Sequence, residues 1–325
     1  MSLLLAACAP QLQPPGDGLE PSRASVDAFV TVDGYRLPMR IALPANSRIG
    51  AVIIAVHGFN DYSNAFAASA ETWRKQGIAV YAYDQRGFGR TVNRGLWPGD
   101  DRLLADLVEV TQHVRARHPD VPIYHLGESM GAAVVLSALA EARLTDSAGA
   151  ILVAPAVWGR EFLPWEYNLV GWFGAHTIPW YTLTGRGFNR IASDNIAMLR
   201  ANGRDPLFIK ETRVDAVYGL VNLMDRATEA ARRFKGRALI LIGARDELVP
   251  AESIQAMLRR LPDETAGLRR VAIYPRGYHM LLRDLQGPVV QHDVAAWIRQ
   301  PVAPLPSGAD AKPWWLSAPP RAAAN

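Results

Sequence analysis

Short apolar runs recur along the chain and are separated by longer amphipathic segments. Such runs are typical of strands buried on both faces of a parallel sheet, and the segments between them have the periodicity of helices. The predicted strands are 51–56, 78–83, 121–126, 149–153, 238–242 and 270–274, and the predicted helices are 65–77, 101–118, 130–143, 251–260 and 287–298. The alternation predicts an α/β fold: a mostly parallel sheet with helices on both faces.

Two stretches depart from this rhythm. Residues 26–43 alternate loosely around Val32-Asp33-Gly34, which predicts a hairpin of two strands with a tight turn. Residues 155–232 are first rich in Trp, Gly and Pro and then favour helices at 191–202 and 214–233. We interpret 155–232 as a cap inserted over the carboxyl edge of the sheet. The core is therefore predicted to comprise 25–154 and 233–299.

Composition narrows the class of protein. The 325 residues suit one α/β domain with an insertion, and the net charge of +4 comes mostly from arginines interleaved with acids. This favours an ordinary solvated surface, and we expect no nucleic-acid partner. With Cys8 as the single cysteine, neither an intrachain disulfide nor a cysteine-rich zinc site can form. His-Glu-x-x-His, a Walker loop and Gly-x-Gly-x-x-Gly are all absent from the sequence, so no metal or nucleotide cofactor is predicted.

The two ends of the chain have their own composition. Leu5-Ala6-Ala7-Cys8 resembles a bacterial lipobox, in which the cysteine is lipidated, but it lacks a positive region and a full apolar stretch. Either the natural start lies upstream or the match is accidental. If Cys8 is lipidated, residues 1–24 would be a signal remnant and a flexible tether that anchors the protein at the cell envelope. If Cys8 is not lipidated, we expect a cytoplasmic protein. The Pro- and Ala-rich tail, 300–325, is expected to lack regular structure.

One pentapeptide carries a recognisable chemistry. Gly127-Glu128-Ser129-Met130-Gly131 matches Gly-x-Ser-x-Gly, in which a serine sits on a strained turn between a strand and a helix. The glycines allow close backbone approach, and the helix start offers free N–H groups. The alternative is an ordinary turn serine. Because a strand-like run precedes the motif and a helix-compatible run follows it, we predict that Ser129 is a nucleophile.

Several further motifs together resemble the α/β-hydrolase family, of the monoacylglycerol lipase or lysophospholipase type. They occur in the family's order between about 57 and 279: His57-Gly58-Phe59-Asn60-Asp61, Asp84-Gln85-Arg86-Gly87-Phe88-Gly89-Arg90, the serine motif, Asp205-Pro206-Leu207, Gly243-Ala244-Arg245-Asp246 and His279. The resemblance implies the α/β-hydrolase fold, an inserted helical cap and cleavage of a carboxylic ester.

The resemblance also implies the partners of the serine, in the order Ser, acid, His. His279, in a loop after the last predicted strand, would be the base, and Asp246, just past the strand 238–242, would be the acid that orients it. Glu247, Asp263 and Asp284 are weaker candidates for the acid. The backbone N–H groups of Phe59 and Met130 would form the oxyanion hole, and His57 would brace the loop that carries Phe59.

The cap is expected to select the substrate. Its apolar residues, among them Trp158, Trp165 and Trp172, would line an acyl pocket or touch a bilayer; the alternative is that most of them form the cap's own core. A lidded apolar pocket favours a monoglyceride, a lysophospholipid or a simple ester.

Other functions remain open on this fold. The same triad would serve an acyltransferase or a peptidase, and a peptidase that holds a free amine needs cap acids such as Glu161 or Glu166. A binding protein without activity is a further alternative. The serine at 129 argues against the dehalogenases and epoxide hydrolases of this fold, which use Asp there.

Overall fold

A mixed sheet forms the centre of the protein. The computed structural model describes residues 9–19, 22–25, 27–45, 48–185 and 190–311, and nine strands of these ranges form the sheet. They are β1 (Arg23–Ala24), β2 (Ala28–Val30), β3 (Arg36–Ala42), β4 (Ala51–Val56), β5 (Ile78–Tyr83), β6 (Ile123–Glu128), β7 (Gly149–Val153), β10 (Ala238–Gly243) and β11 (Arg269–Tyr274). Two short strands, β8 (Thr182–Thr184) and β9 (Glu211–Arg213), pair with each other elsewhere.

The strand order is β1-β2-β3-β5-β4-β6-β7-β10-β11. The first three strands run antiparallel to their neighbours, and every pairing from β5 to β11 in this order is parallel. The carboxyl ends of β4, β6, β10 and β11 therefore meet at one edge of the sheet, which confirms the predicted α/β architecture and the predicted hairpin of β2 and β3.

Eight helices accompany the strands in the described ranges. They are α1 (Ala67–Arg74), α2 (Asp100–Arg117), α3 (Met130–Ala140), α4 (Trp165–Thr177), α5 (Ile196–Arg204), α6 (Val214–Ala230), α7 (Ala251–Arg260) and α8 (Gly287–Arg299). None of these helices combines the length and the apolar character needed to cross a bilayer.

The core consists of two layers, one on each face of the sheet. Alternate residues of a strand point to opposite faces, so Val52 and Ile54 join the layer that contains α2, α3 and α7. Ala51, Ile53 and Ala55 belong to the layer that contains α1 and α8. This double burial explains why β4 is continuously apolar rather than alternating.

The segment between β7 and β10 contains more structure than its sequence indicated. Helices α5 and α6 lie close to the predicted positions, but α4 was not predicted. Its aromatic and glycine content masks the helical period. Only Ala175 of α4 is buried, so most of its apolar side chains do not form a core of the cap.

Both ends of the described chain pack against the body. The Gln13 side chain is buried and donates hydrogen bonds to the Tyr35 hydroxyl (2.6 Å) and the Val92 carbonyl (2.9 Å), so the flexible tether predicted for 1–24 does not include this residue.

After α8, Leu305 is buried and the Ala309 carbonyl accepts a hydrogen bond from the N–H of Ile273 in β11. The tail residues 300–311 have no helix or strand, as expected, yet they are held in place. Cys8 and the tail from residue 312 onward lie outside the described residues.

A buried arginine ties the hairpin to the rest of the core. Arg86 follows β5, and its guanidinium contacts Asp33 in the β2–β3 turn (2.9 Å) and Asp106 in α2 (2.8 Å). The same guanidinium lies 3.9 Å from the centre of the Tyr35 ring. Since the Arg86 side chain is only 1% exposed, solvent cannot replace these contacts.

We predict that Arg86→Met lowers the free energy of unfolding by about 3–5 kcal/mol, because two carboxylates lose their buried partner. Urea unfolding followed by circular dichroism measures the change. Arg36→Met is the control, since Arg36 pairs with Asp27 at 2.8 Å on the exposed surface, and its unfolding midpoint should stay at the wild-type value. Equal midpoints for both variants would contradict the structural role of Arg86.

Candidate active site

Ser129 lies on the turn between β6 and α3. Its backbone has φ 55° and ψ −116°, a left-handed region that non-glycine residues rarely adopt. The N–H of Ser129 donates to the carbonyl of Val153 at the end of β7 (2.9 Å), and the carbonyl of Ser129 accepts from Ala156 (3.1 Å). Contacts with the neighbouring strand therefore hold the strained turn in place.

The two glycines of the motif are required by close backbone packing. A Cβ atom on Gly127 would lie 2.3 Å from the carbonyl carbon of Gly131, and one on Gly131 would lie 2.0 Å from the carbonyl oxygen of Val56. Helix α3 thus begins directly against β4 and β6. The sequence spacing of the motif reflects this packing, since any larger side chain at either glycine would push the helix away from the sheet.

The structure brings Ser129, His279 and Asp246 together. The Nε2 atom of His279 lies 2.9 Å from the Ser129 hydroxyl, and its Nδ1 atom lies 2.7 Å from Oδ2 of Asp246. An ionised carboxylate only accepts hydrogen bonds, so Nδ1 carries the proton and Nε2 is free to accept the serine proton. Ser129 is half-buried, whereas His279 is buried.

Asp246 is itself fixed by the backbone. Its Oδ1 atom accepts hydrogen bonds from the N–H groups of Leu248 (2.8 Å) and Val249 (3.0 Å), which leaves Oδ2 for His279. The weaker candidates for the acid have other contacts in the structure. Glu247 accepts from the N–H of Ile191, and Asp284 accepts from Ser193 and from the N–H of Tyr278.

The surroundings of His279 favour its protonated form. Burial opposes protonation, but the carboxylate of Asp246 and, more weakly, that of Glu128 outweigh burial and raise the pKa of His279 above its ordinary value of 6.5. The imidazole is therefore suited to accept a proton from a bound hydroxyl near neutral pH and to return it later.

The loop after β4 comes close to the serine. A Cβ atom on Gly58 would lie 3.3 Å from Cβ and 4.0 Å from Oγ of Ser129, so the residue that precedes Phe59 lies beside the serine. Met130 is the first residue of α3, so no carbonyl of that helix accepts its N–H. Met130 and Gly58 thus lie next to Ser129, whereas the oxyanion hole formed by the N–H groups of Phe59 and Met130 stays a prediction.

His57 braces this loop from inside the protein. Its Nε2 atom accepts a hydrogen bond from the N–H of Gln85 (2.9 Å), and its Nδ1 atom donates to the carbonyl of Gly58 (2.8 Å). Burial is the main cause that lowers the pKa of His57, so the ring stays neutral and acts as a spacer between two backbone segments.

Cap segments reach the same loops from above. The Asn60 side chain donates to Thr212 (2.7 Å), and the Tyr62 hydroxyl donates to Asp205 (2.6 Å). On the other side, the N–H of Met280 donates to the carbonyl of Ala192 (2.9 Å). The cap is therefore connected both to the loop after β4 and to the loop that carries His279.

The three tryptophans predicted for substrate binding lie in different environments. Trp158 is half-buried against the core near the end of β7. Trp165 and Trp172 lie on α4 with 70% and 47% of their surface exposed, and the Trp172 ring stacks on His176. The structure therefore places only Trp158 within the packed body, and α4 presents the other two to the outside.

Sequence reasoning missed a charged cluster beside the triad. Arg283 contacts Asp61 (2.7 Å) and Glu128 (3.0 Å), and all three side chains are largely buried. A signal was present, because Glu128 is the last residue of a buried strand and directly precedes Ser129. A carboxylate in that place needs a cationic partner, although the sequence does not say which arginine supplies it.

Known lipases resemble this chain over most of its length. The monoglyceride lipase of Rattus norvegicus is 26% identical over 281 residues, which cover 85% of this chain and 90% of that protein. The monoacylglycerol lipase of Mycolicibacterium smegmatis is 25% identical over 287 residues, covering 85% and 98%. Among solved structures, a soluble variant of monoglyceride lipase from Saccharomyces cerevisiae, in complex with a substrate analog, superposes with a TM-score of 0.71 at 16% identity, covering 88% of this chain and 98% of that one.

A second solved structure, Paleococcus ferrophilus monoacylglycerol lipase, superposes with a TM-score of 0.67 at 19% identity and covers 81% of this chain and 98% of that one. These likenesses confirm the predicted α/β-hydrolase fold. A family model described as serine aminopeptidase, S33, matches residues 47–286, which contain Ser129, Asp246 and His279. Because that match spans well over half of the chain, the protein belongs to the serine aminopeptidase, S33, family.

Proposed function

We propose that this protein is a serine hydrolase that cleaves carboxylic esters of monoacylglycerol-like lipids through an acyl-enzyme on Ser129. The observation that carries the proposal is the hydrogen-bonded series from the Ser129 hydroxyl through His279 to Asp246. Relatives over most of the chain are named monoglyceride or monoacylglycerol lipases, which supports the ester class.

The geometry supports a two-step mechanism. As Oγ of Ser129 attacks the ester carbonyl carbon, its proton passes to Nε2 of His279, and the N–H groups of Phe59 and Met130 stabilise the negative oxygen. The carbon–oxygen bond to the alcohol then breaks, and the alcohol, glycerol for a monoacylglycerol, takes the proton from His279. Water repeats the sequence on the acyl-enzyme, so that the fatty acid leaves and Ser129 regains its proton.

A peptidase is the second candidate, because the family is described as serine aminopeptidase, S33. An aminopeptidase needs an acid that holds the substrate's free amine. Of the two cap acids that the sequence suggested, Glu161 is paired with Arg260 and Glu166 is exposed on α4. Neither is a buried, unpaired carboxylate, which favours the ester over the peptide substrate.

The exposed face of α4 supports contact with a lipid surface. Trp165, Val170, Trp172 and Phe173 are all exposed on this helix. Soluble proteins rarely leave so many large apolar side chains together in water, and aromatic residues are favoured at membrane interfaces. We infer that this face of the cap, which we call the α4 face, docks on the aggregate from which a lipid substrate is drawn. Lipidation of Cys8 stays a prediction and would add a second membrane attachment.

Ser129→Ala should lower hydrolysis of monoacylglycerols and p-nitrophenyl esters by about 10⁴-fold or more, because the nucleophile is lost. Release of fatty acid from monoacylglycerols and lysophospholipids, and of arylamine from amino-acid anilides, measured with both proteins, also distinguishes the lipase from the peptidase. Unchanged thermal unfolding of the variant is the control. Wild-type turnover in Ser129→Ala would remove this residue from the mechanism, and preference for the anilides would favour the peptidase.

The pH profile should follow the protonation of His279. Only the neutral imidazole accepts the serine proton, so kcat/KM is expected to fall tenfold per pH unit below a pKa that lies above 6.5. Stopped-flow hydrolysis of a p-nitrophenyl ester gives the profile of the acylation step. In Asp246→Asn the titration of His279, followed by NMR, should move to lower pH because the carboxylate that raises the pKa is gone. An acid limb centred below pH 6 in the wild-type enzyme would contradict this assignment.

Replacing a valine on the α4 face should weaken lipid binding. We expect Val170→Ser to reduce binding to phosphatidylcholine vesicles on the order of fivefold, because the lost methyl groups no longer leave water. Co-sedimentation measures the bound fraction. Val302→Ser is a matched control, since Val302 is 73% exposed and Val170 is 69% exposed, but Val302 lies in the C-terminal segment. Equal losses in the two variants would argue against the α4 face as the lipid contact.

A further inference from the structure

A single guanidinium joins two loops and the end of β6 at the candidate active site. The Nη2 atom of Arg283 lies 2.7 Å from Oδ2 of Asp61 and 3.0 Å from Oε2 of Glu128. The Asp61 and Glu128 side chains are buried and that of Arg283 nearly so. We call these three residues the Arg283 cluster.

Each member belongs to a segment with a different part in the proposed reaction. Asp61 lies two residues after Phe59, in the loop after β4. Glu128 is the last residue of β6 and directly precedes Ser129. Arg283 follows His279 by four residues. The cluster therefore links the oxyanion loop, the nucleophile and the base.

The members are also held by backbone contacts. Oδ1 of Asp61 accepts a hydrogen bond from the N–H of Tyr62 (2.8 Å), which fixes the carboxylate relative to its own loop. The carbonyl of Arg283 accepts from the side chain of Asn195 in the cap (2.9 Å). The contacts of Arg283 with Asp61 and with Glu128 are short and shielded from water. A shift of one of these segments is therefore transmitted to the others.

Stability alone does not require this arrangement. Removing two carboxylates and one guanidinium from water costs free energy, and an apolar cluster of the same volume is often as stable or more stable. Arg86 provides a comparison, since it also bridges two buried carboxylates but lies between the β2–β3 hairpin and α2. What distinguishes the Arg283 cluster is its place beneath Ser129 and His279.

We propose that Arg283 is a positioning residue, which holds Glu128 and Asp61 so that the Ser129 turn, the oxyanion loop and His279 keep their reactive distances. The inference rests on the proposed function, because it assigns the cluster to the reaction at Ser129. A misplacement of about 1 Å at such a site costs about 100-fold in rate. The cluster therefore acts on the chemical step rather than on substrate binding.

The cluster also acts on His279 through its charges. The groups that face His279 are Asp246 and Glu128, which raise its pKa, and Arg283, which lowers it; Asp61 faces Arg283 from the loop after β4. Glu128→Gln removes one of the raising charges while keeping the shape of the side chain. The acid limb of the pH profile should then move to lower pH, an effect that a purely structural role would not produce.

The test compares Arg283→Met, Arg283→Lys and Arg86→Met in the full chain, with p-nitrophenyl butyrate as substrate. Arg283→Met should lower kcat about 100-fold and leave KM within about threefold. Arg283→Lys should recover most of that loss, because one nitrogen makes both contacts and an ammonium can replace it. Arg86→Met should lose stability but keep kcat per folded molecule within about twofold of wild type.

A fluorophosphonate probe, which reacts with the Ser129 hydroxyl, measures the nucleophilic attack without an ester substrate. Labelling of Ser129 should slow in Arg283→Met and return in Arg283→Lys. Wild-type kcat in Arg283→Met, equal kcat losses in Arg283→Met and Arg86→Met, or no recovery with lysine would each overturn the positioning role.

Two further outcomes distinguish a failure of the positioning role of Arg283 from a failure of the proposed function. If Arg283→Met does not fold, the pH profile of Glu128→Gln decides: an acid limb that does not move to lower pH overturns the inference. If wild type and Ser129→Ala hydrolyse the ester equally and neither is labelled, the proposed function itself fails.

Discussion

The strained turn at Ser129 is the constraint on which the rest of the site depends. A left-handed backbone at a serine is unfavourable, and it persists here because hydrogen bonds to Val153 at the end of β7 and to Ala156 hold the turn. The absence of side chains at Gly127 and Gly131 lets α3 start against the sheet. The hydroxyl is thereby raised above the edge where the other loops meet, and the first N–H groups of α3 lie beside it.

Buried charge is used in two ways in this protein. Arg86 and Arg283 each bridge two carboxylates away from water, yet one joins a hairpin to a helix and the other joins two loops and the end of β6 at the site. The physics of the contacts is the same. Their consequences differ because a displacement in the first case changes packing, whereas in the second it changes distances between reacting groups.

One side of the cap is hydrogen-bonded to loops of the core, and its helix α4 has exposed apolar residues. Its hydrogen bonds to Asn60, Tyr62 and Met280 connect it to the loops that carry Phe59 and His279. Helix α4, in contrast, buries only Ala175 and presents aromatic residues outward. Such an apolar surface is what the proposed contact with a lipid aggregate requires.

With Asp246 and His279 identified only through the resemblance to the α/β-hydrolase family, the sequence by itself determined the sheet and the strand-to-helix turn at Ser129. It did so because buried strands must be apolar, and because a serine on this turn needs glycines at fixed spacing. Strand β6 nevertheless runs to Glu128, two residues beyond the predicted end, since pairing with β7 continues to the nucleophile.

Only the tertiary structure decided which charges pair. Arg283, Glu128 and Asp61 are separated by up to 222 positions in the chain, and local pattern carries no information about such partners. The same holds for α4, whose apolar residues resemble those of a core helix in sequence. Whether an apolar side chain is buried or exposed depends on which residues pack against it. Those neighbours come from distant parts of the chain and are brought together only in the tertiary structure.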